Sequence, residues 1–282
     1  MSLEEGIRTS IPLPQWMESL LIRLESKFKE LQRKSKKALV AYLVAGDPDM
    51  ESTLELMHKF VESGVDIIEL GVPFTDPIAE GPIIQAAHDR ALKSNTSLNM
   101  IFSLVEEFRK NDTETPVILM GYVNTFLANS EALESIHERG TDAVLIVDIP
   151  GEKSLEEVGI NNNSIASISL ISPTTNNERI QNICTTSSGF IYYVTLRGVT
   201  GASNLNVDEI NTNITNIRKY TSLPVLAGFG IKTASDAHKL SQIADGVVIG
   251  SVLVEMIHQQ SAQKDYKKIY TYLNEISAAI NP

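Results

Sequence analysis

The chain has one cysteine, Cys184, in 282 residues. A lone cysteine excludes an internal disulfide and a zinc site built on several thiolates. Its neighbours, Asn182-Ile183-Cys184-Thr185, supply no cation to stabilise a thiolate, so an inert thiol is expected. Positive charge is also scarce. Lys and Arg total 24 against 35 Asp and Glu, for a formal net charge of -11. Nucleic acid and anionic membrane would both be repelled, so neither is an expected partner. A phosphorylated small molecule stays possible, because backbone N–H groups and helix N-termini bind phosphate without a basic patch.

Long apolar runs are missing too. None approaches the ~18 residues of a membrane span. The leading Met1-Ser2-Leu3-Glu4-Glu5 lacks the basic region and apolar core of a secretion signal, so a cytoplasmic location is the expectation. No strong repeat or low-complexity tract divides the chain. Asn161–Asn163 and Thr185–Ser188 read as polar turns. A Gly-rich dinucleotide fingerprint is absent after the first apolar run, where Ala45-Gly46-Asp47-Pro48 stands instead.

What is present is a rhythm. Short apolar or β-branched runs occur at Leu39–Val44, Ile67–Leu70, Val117–Tyr122, Ala143–Val147, Ile165–Leu170, Ile191–Val194, Val225–Ala227 and Gly246–Ile249. Helix-like stretches lie between them at Glu51–Glu62, Ile83–Lys93, Ile101–Lys110, Glu131–Arg139 and Val207–Tyr220. Such alternation predicts βαβ units and a parallel sheet. Eight strands in a chain of this length predict an α/β fold of the closed (β/α)8, or TIM, barrel type, typically ~250 residues. Trp16, Leu20, Leu24, Phe28 and Leu31 form one apolar stripe, predicting an additional N-terminal helix from Gln15 that caps one end of the barrel. Residues 1–14, broken by Pro12 and Pro14, are expected to be a flexible arm, and 15–282 a single barrel domain.

In such barrels the chemistry sits at the C-terminal strand ends. Glu69 ends an otherwise apolar strand and shares a face with Ile67, while Leu70 points the other way. A carboxyl there is partly desolvated, which raises its pKa toward a value useful for a general acid or base. Helix capping or pairing with a cation is the plainer alternative. Glu80 follows in the loop after the same strand, with Asp76 as a competing carboxylate. Ala227-Gly228-Phe229-Gly230-Ile231 and Ile249-Gly250-Ser251 follow the seventh and eighth strands, where barrel enzymes commonly cradle phosphate. Glycine lets backbone approach an oxyanion closely, and the helix after Ser251 adds a favourable dipole. Tight-turn geometry would explain each glycine pair alone. Tyr42 reads equally as pocket wall or as packing, and Tyr193 as core or site. Asp47-Pro48 is expected to cap the helix after the first strand. The five histidines, His58, His88, His137, His238 and His258, fall in helical stretches, where solvent-facing or helix-packing roles are expected.

The run Glu69-Leu70-Gly71-Val72-Pro73-Phe74-Thr75-Asp76-Pro77-Ile78-Ala79-Glu80-Gly81-Pro82-Ile83-Ile84-Gln85 and the loop Gly198-Val199-Thr200-Gly201 closely resemble the signatures of the tryptophan synthase α-subunit family. The likeness extends from about Phe28 to the helix after Ser251. It implies a (β/α)8 barrel that cleaves indole-3-glycerol phosphate to indole and glyceraldehyde 3-phosphate in tryptophan biosynthesis. It implies Glu69 as the proton shuttle and a carboxylate at Glu80 on the indole N–H, where the family usually has Asp. Tyr42, Tyr122, Val147, Tyr192 and Thr200 would contact the substrate, with Thr200 bonding the loop carboxylate on closure. Gly201, Phe229, Gly230, Gly250 and Ser251 would hold phosphate. Pro73, Asp76, Asn124 and Pro150 would face a β subunit in an αββα heterotetramer. No cofactor is expected in this chain, pyridoxal phosphate belonging to the β partner. Two readings share this site: a working lyase, either paired or stand-alone, and a catalytically weakened α-like subunit that activates a β subunit. A different phosphate-handling barrel enzyme fits less well, since such enzymes place their acid and base on other strands.

Overall fold

The computed structural model describes residues 22–129, 133, 135–160, 164–194, 206–228 and 230–282. The strands are β1 (Ala38–Val44), β2 (Ile67–Gly71), β3 (Val117–Gly121), β4 (Ala143–Ile146), β5 (Ala166–Ser167), β6 (Ser169–Ile171), β7 (Ile191–Val194), β8 (Val225–Gly228) and β9 (Gly246–Ile249). All paired neighbours are parallel, in the order β5-β4-β3-β2-β1-β9-β8-β7-β6. The two ends of that order, β5 and β6, flank Ile168, whose N–H donates to the Val144 carbonyl at 2.9 Å. The sheet therefore closes on itself, and nine strands fill the eight positions of a (β/α)8 barrel. The expected fifth strand is split because the Ser188 hydroxyl takes the Ser167 N–H at 2.8 Å, replacing a ladder partner.

Strand alternation sorts the barrel into two apolar layers. Ala38, Val40, Ile67, Ile118, Leu145, Tyr192, Leu226 and Val248 fill the interior. Leu39, Leu43, Ile68, Leu70, Leu119, Tyr193 and Val247 pack outward under the helices. Both faces are buried, which is why the strands read as nearly continuous apolar runs. Tyr193 is thus core, its hydroxyl accepting from Asn213 Nδ2 at 2.8 Å.

Helix α1 (Ile22–Arg33) buries Leu24 and Leu31 against the barrel interior, and Phe28 meets Phe190 edge-on at 5.9 Å between ring centroids. Phe190 precedes β7, so α1 plugs the N-terminal end, opposite the strand ends that carry chemistry. Arg23 pins it to Asp142 at 2.7 Å. The arm 1–14, together with Trp16 and Leu20, lies outside the described residues, as do Asn161–Asn163.

Helices α2 (Met50–Glu62), α3 (Pro82–Lys93), α4 (Leu98–Arg109), α6 (Asn177–Thr186), α7 (Val207–Ile217), α8 (Ala234–Ser241), α9 (Ser251–Gln260) and α10 (Lys267–Ile280) surround the sheet. After β3 the structure departs from expectation. A short α5 (Val123–Leu127) follows at once, and of the expected Glu131–Arg139 helix Leu133 is helical while residues 135–139 are turns. Asn129 Nδ2 bonds the Thr125 carbonyl at 2.8 Å, a side-chain-to-backbone bond that competes with helix continuation. Among the described residues no helix is long and apolar enough to cross a membrane.

Candidate active site

Glu69 points into the top of the barrel. β2 is buried throughout, and its register sets Glu69 beside Tyr42 of β1 and Ile118 of β3. The side chain is 2% exposed, and Oε1 has no hydrogen-bond partner among the described residues. Burial, then the charge of Glu80, pushes its pKa up to about 8. Glu69 therefore holds a proton near neutrality and is poised to give it up. The plainer alternative, a capping or ion-paired carboxylate, does not fit a group without a partner.

Glu80 faces it from the loop after β2 and is also buried. The Tyr122 hydroxyl donates to Glu80 Oε2 and accepts the Ala79 N–H at 3.0 Å. The Tyr122 ring stacks on Phe74, with centroids 4.7 Å apart. Burial raises the Glu80 pKa; the Tyr122 and backbone hydrogen bonds oppose that rise, and the charge of Asp148 adds to it. Gln85 Nε2 donates to the Glu80 carbonyl at 2.8 Å, and Pro82 at the start of α3 suits a position where no N–H is needed.

The two carboxyls line one cavity of about 270 Å³ with Tyr42, Gly81, Pro82, Ile83, Ile84, Met120, Tyr192, Gly230, Ile231, Val248, Gly250 and Ser251. Its volume lies near the ~300 Å³ lower end of small-molecule pockets. Two tyrosines shape its walls. The Tyr42 hydroxyl lies over Gly71 and the Tyr192 hydroxyl over Gly228, so a Cβ at either glycine would collide with it. Burial and the nearby carboxylates hold both phenols well above their ordinary pKa, so they are neutral donors.

In the same cavity wall, Gly230 at φ 76° turns the chain in the left-handed region. Gly250 caps α9 without a side chain, leaving first-turn N–H groups beside Ser251 free of a side-chain cap. All three line the cavity. Thr200, Gly201 and Phe229 lie outside the described residues.

Other sequence expectations shift. Val147 is half-buried against the barrel interior and does not line the cavity; its N–H donates to the Gly121 carbonyl at 3.0 Å. Tyr122 reaches the site through Glu80, not as cavity wall. At the rim Asp76, Asn124 and Pro150 are exposed, but Pro73 is buried. Asp47 is not the helix cap. It forms a two-pronged pair with Arg90, 2.7 Å on each prong, while Asp49 caps α2 by accepting the Ser52 N–H. His88, expected on a helix surface or in helix packing, is buried and bonded behind Tyr42. His137 lies in a turn. Burial pushes the Cys184 thiol up to about 11, as befits an inert thiol. Sequence reasoning passed over Met120, Ile84 and Val248, because an aliphatic side chain at a strand end or on a helix reads as core.

An eight-position parallel barrel with two facing carboxyls in a largely apolar cavity at its C-terminal rim has the arrangement of an acid/base barrel enzyme. Comparison with known proteins narrows this class. The chain belongs to the tryptophan synthase alpha chain family, whose model matches residues 28–281. It is 46% identical over 240 residues to the tryptophan synthase alpha chain of Nitrosococcus oceani, covering 84% of this chain and 89% of that one. With the alpha chain of Marinobacter nauticus the identity is 44% over 246 residues, covering 86% and 91%. The crystal structure of tryptophan synthase subunit alpha from Legionella pneumophila superposes with a TM-score of 0.83 at 37% identity, covering 92% of this chain and 98% of that one.

Proposed function

We propose that the chain cleaves indole-3-glycerol phosphate to indole and glyceraldehyde 3-phosphate, with Glu69 as proton shuttle and Glu80 as the anchor of the indole N–H. One observation carries the assignment of roles. A buried, proton-holding Glu69 and a tyrosine-held Glu80 face one cavity, and that cavity also holds the glycine-lined end where phosphate would bind.

The chemistry follows from the two environments. Protonated Glu69 gives its proton to indole C3, and the Glu80 carboxylate stabilises the resulting positive ring through its N–H. The C–C bond to the glycerol chain then lies next to an electron-poor ring. Glu69, now a carboxylate, takes the proton of the adjacent glycerol hydroxyl. The O–H electrons form the new carbonyl, and the C–C electrons return to the ring. The net result is one proton moved from oxygen to carbon and one C–C bond broken. No step draws on a cofactor. Apolar walls keep both carboxyls poorly solvated, where their interactions with the reacting atoms are strongest.

The alpha-chain family supports pairing with a β subunit, and an αββα heterotetramer docked through the rim of Asp76, Asn124 and Pro150 belongs to this proposal. Pyridoxal phosphate would reside only in that partner. A cytoplasmic location, where the pathway's other enzymes would supply substrate, belongs to it too. The experiment is indole release from indole-3-glycerol phosphate, with and without a β subunit. Release that the partner accelerates is expected. No release under either condition rules out the reaction, and equal rates make the chain a stand-alone lyase.

A further inference from the structure

His88 sits within α3 at 1% exposure, and both of its ring nitrogens are engaged. The Phe74 backbone N–H donates to Nδ1 at 3.0 Å, and the Tyr42 hydroxyl lies 3.5 Å from Nε2. A backbone amide can only donate, so Nδ1 must present its lone pair. In the neutral ring the proton is then on Nε2, directed at the Tyr42 oxygen. Burial, opposed by the charge of Asp89, pushes the His88 pKa down to about 4, which keeps the ring neutral.

Phe74 lies just past the end of β2, where the chain enters the loop carrying Glu80. Its ring stacks on Tyr122 with 15° between the planes. Tyr122 in turn holds the Ala79 N–H and the Glu80 carboxylate. A continuous path of contacts thus runs from His88 to Phe74, to Tyr122 and on to Glu80, fixing the loop near both ends. We propose that His88 is a positioning residue whose Nδ1 lone pair pins Phe74 and thereby aligns the Tyr122 platform that holds Glu80. This rests on the reading that Glu80 acts on the substrate.

Two near-isosteric replacements separate this role from mere space filling. In His88→Asn, Oδ1 takes the place of Nδ1 and can accept the Phe74 N–H. In His88→Gln, the amide reaches the place of Nε2 and leaves Phe74 without its acceptor. His88→Asn should keep kcat within about threefold of the parent, whereas His88→Gln should lose tenfold or more in kcat at little change in KM, since ~1 Å misplacement costs up to ~100-fold. Equal kcat in the two variants would overturn the proposal. Phe74→Leu is an independent arm that removes the stack without touching buried His88. It should reproduce the loss at a nearly parental Tm, and parental kcat would overturn the proposal. Hydrogen exchange of the Phe74 amide, read without substrate, should be slow in the parent and His88→Asn and fast in His88→Gln. If the parent itself released no indole, the reaction would be the part that failed. Phe74 exchange alike in both His88 variants would then still overturn the anchor.

Discussion

Tyr122 grips Glu80 and the loop that carries it with a single oxygen, donating to the carboxylate and accepting the Ala79 N–H at 3.0 Å. Tyr122→Phe keeps the ring on Phe74 and removes both bonds. A hydrogen bond to a charged group is worth ~1.5–3 kcal/mol. The variant should therefore still fold, melt a few degrees lower, and lose about 10- to 100-fold in kcat, tenfold for each ~1.4 kcal/mol. Steady-state kinetics alongside a thermal melt checks this.

The proton on Glu69 should be visible in stability. Its folded pKa of about 8 lies above the ordinary 4.5. Between those values the folded chain binds more protons than the unfolded one, so this carboxyl lowers stability as pH rises, by up to ~1.4 kcal/mol per pH unit. Below pH 4.5 the carboxyl is protonated in both states and contributes nothing to the slope. Glu69→Gln should accordingly gain stability relative to the parent as pH rises from 5 to 8. Urea unfolding at several pH values measures the gap. A gap that does not widen with pH would place the Glu69 pKa near its ordinary value.

The glycine-lined end of the cavity gives a binding prediction. A Cβ at Gly250 would stand 3.7 Å from Tyr42 carbon atoms, ordinary contact distance, so a side chain there does not collide with the protein itself. It would occupy the space assigned to phosphate. Gly250→Val should fold and bind glycerol 3-phosphate at least about tenfold more weakly, ~1.4 kcal/mol. Gly230, at φ 76°, is the poorer test, because any side chain there strains the backbone as well. Titration calorimetry of the folded variant decides.

Much of this was legible in the sequence. The eight β-runs match the barrel strands to within a residue or two, because strands buried on both faces leave unbroken apolar stretches bounded by polar turns. Glu69 stood out as a carboxylate where its strand is otherwise apolar. What stayed hidden depends on partners far away in the chain. The Ser188 hydroxyl that splits the fifth strand, the Arg90 fork that takes Asp47 from helix capping, and the Phe74 and Tyr42 contacts of His88 all join separate elements. No local pattern encodes such meetings. Val147 follows its strand end as read, while the neighbouring β3 supplies Met120 to the cavity wall on that side.

Glu80, where the sequence resemblance leads to the expectation of Asp, has its own test. The Tyr122 hydroxyl already meets the longer carboxylate, so Glu80→Ala should be severely impaired and Glu80→Asp should change kcat only about threefold either way. A gain of tenfold or more on Glu80→Asp, ~1.4 kcal/mol in barrier, would mean that the extra methylene disables the site. The chain would then serve mainly to activate its partner.

In the proposed reaction one buried carboxyl, Glu69 at the end of β2, moves the proton that breaks the C–C bond. Steady-state indole release by Glu69→Gln, assayed against the parent with the β subunit present, tests it most directly. Glutamine preserves shape and the capacity for a hydrogen bond but cannot shuttle a proton, so release should fall by about a thousandfold or more, within the 10²–10⁴-fold expected of a general acid/base, while glycerol 3-phosphate still binds. Release within a few-fold of the parent would rule out Glu69 as the proton shuttle.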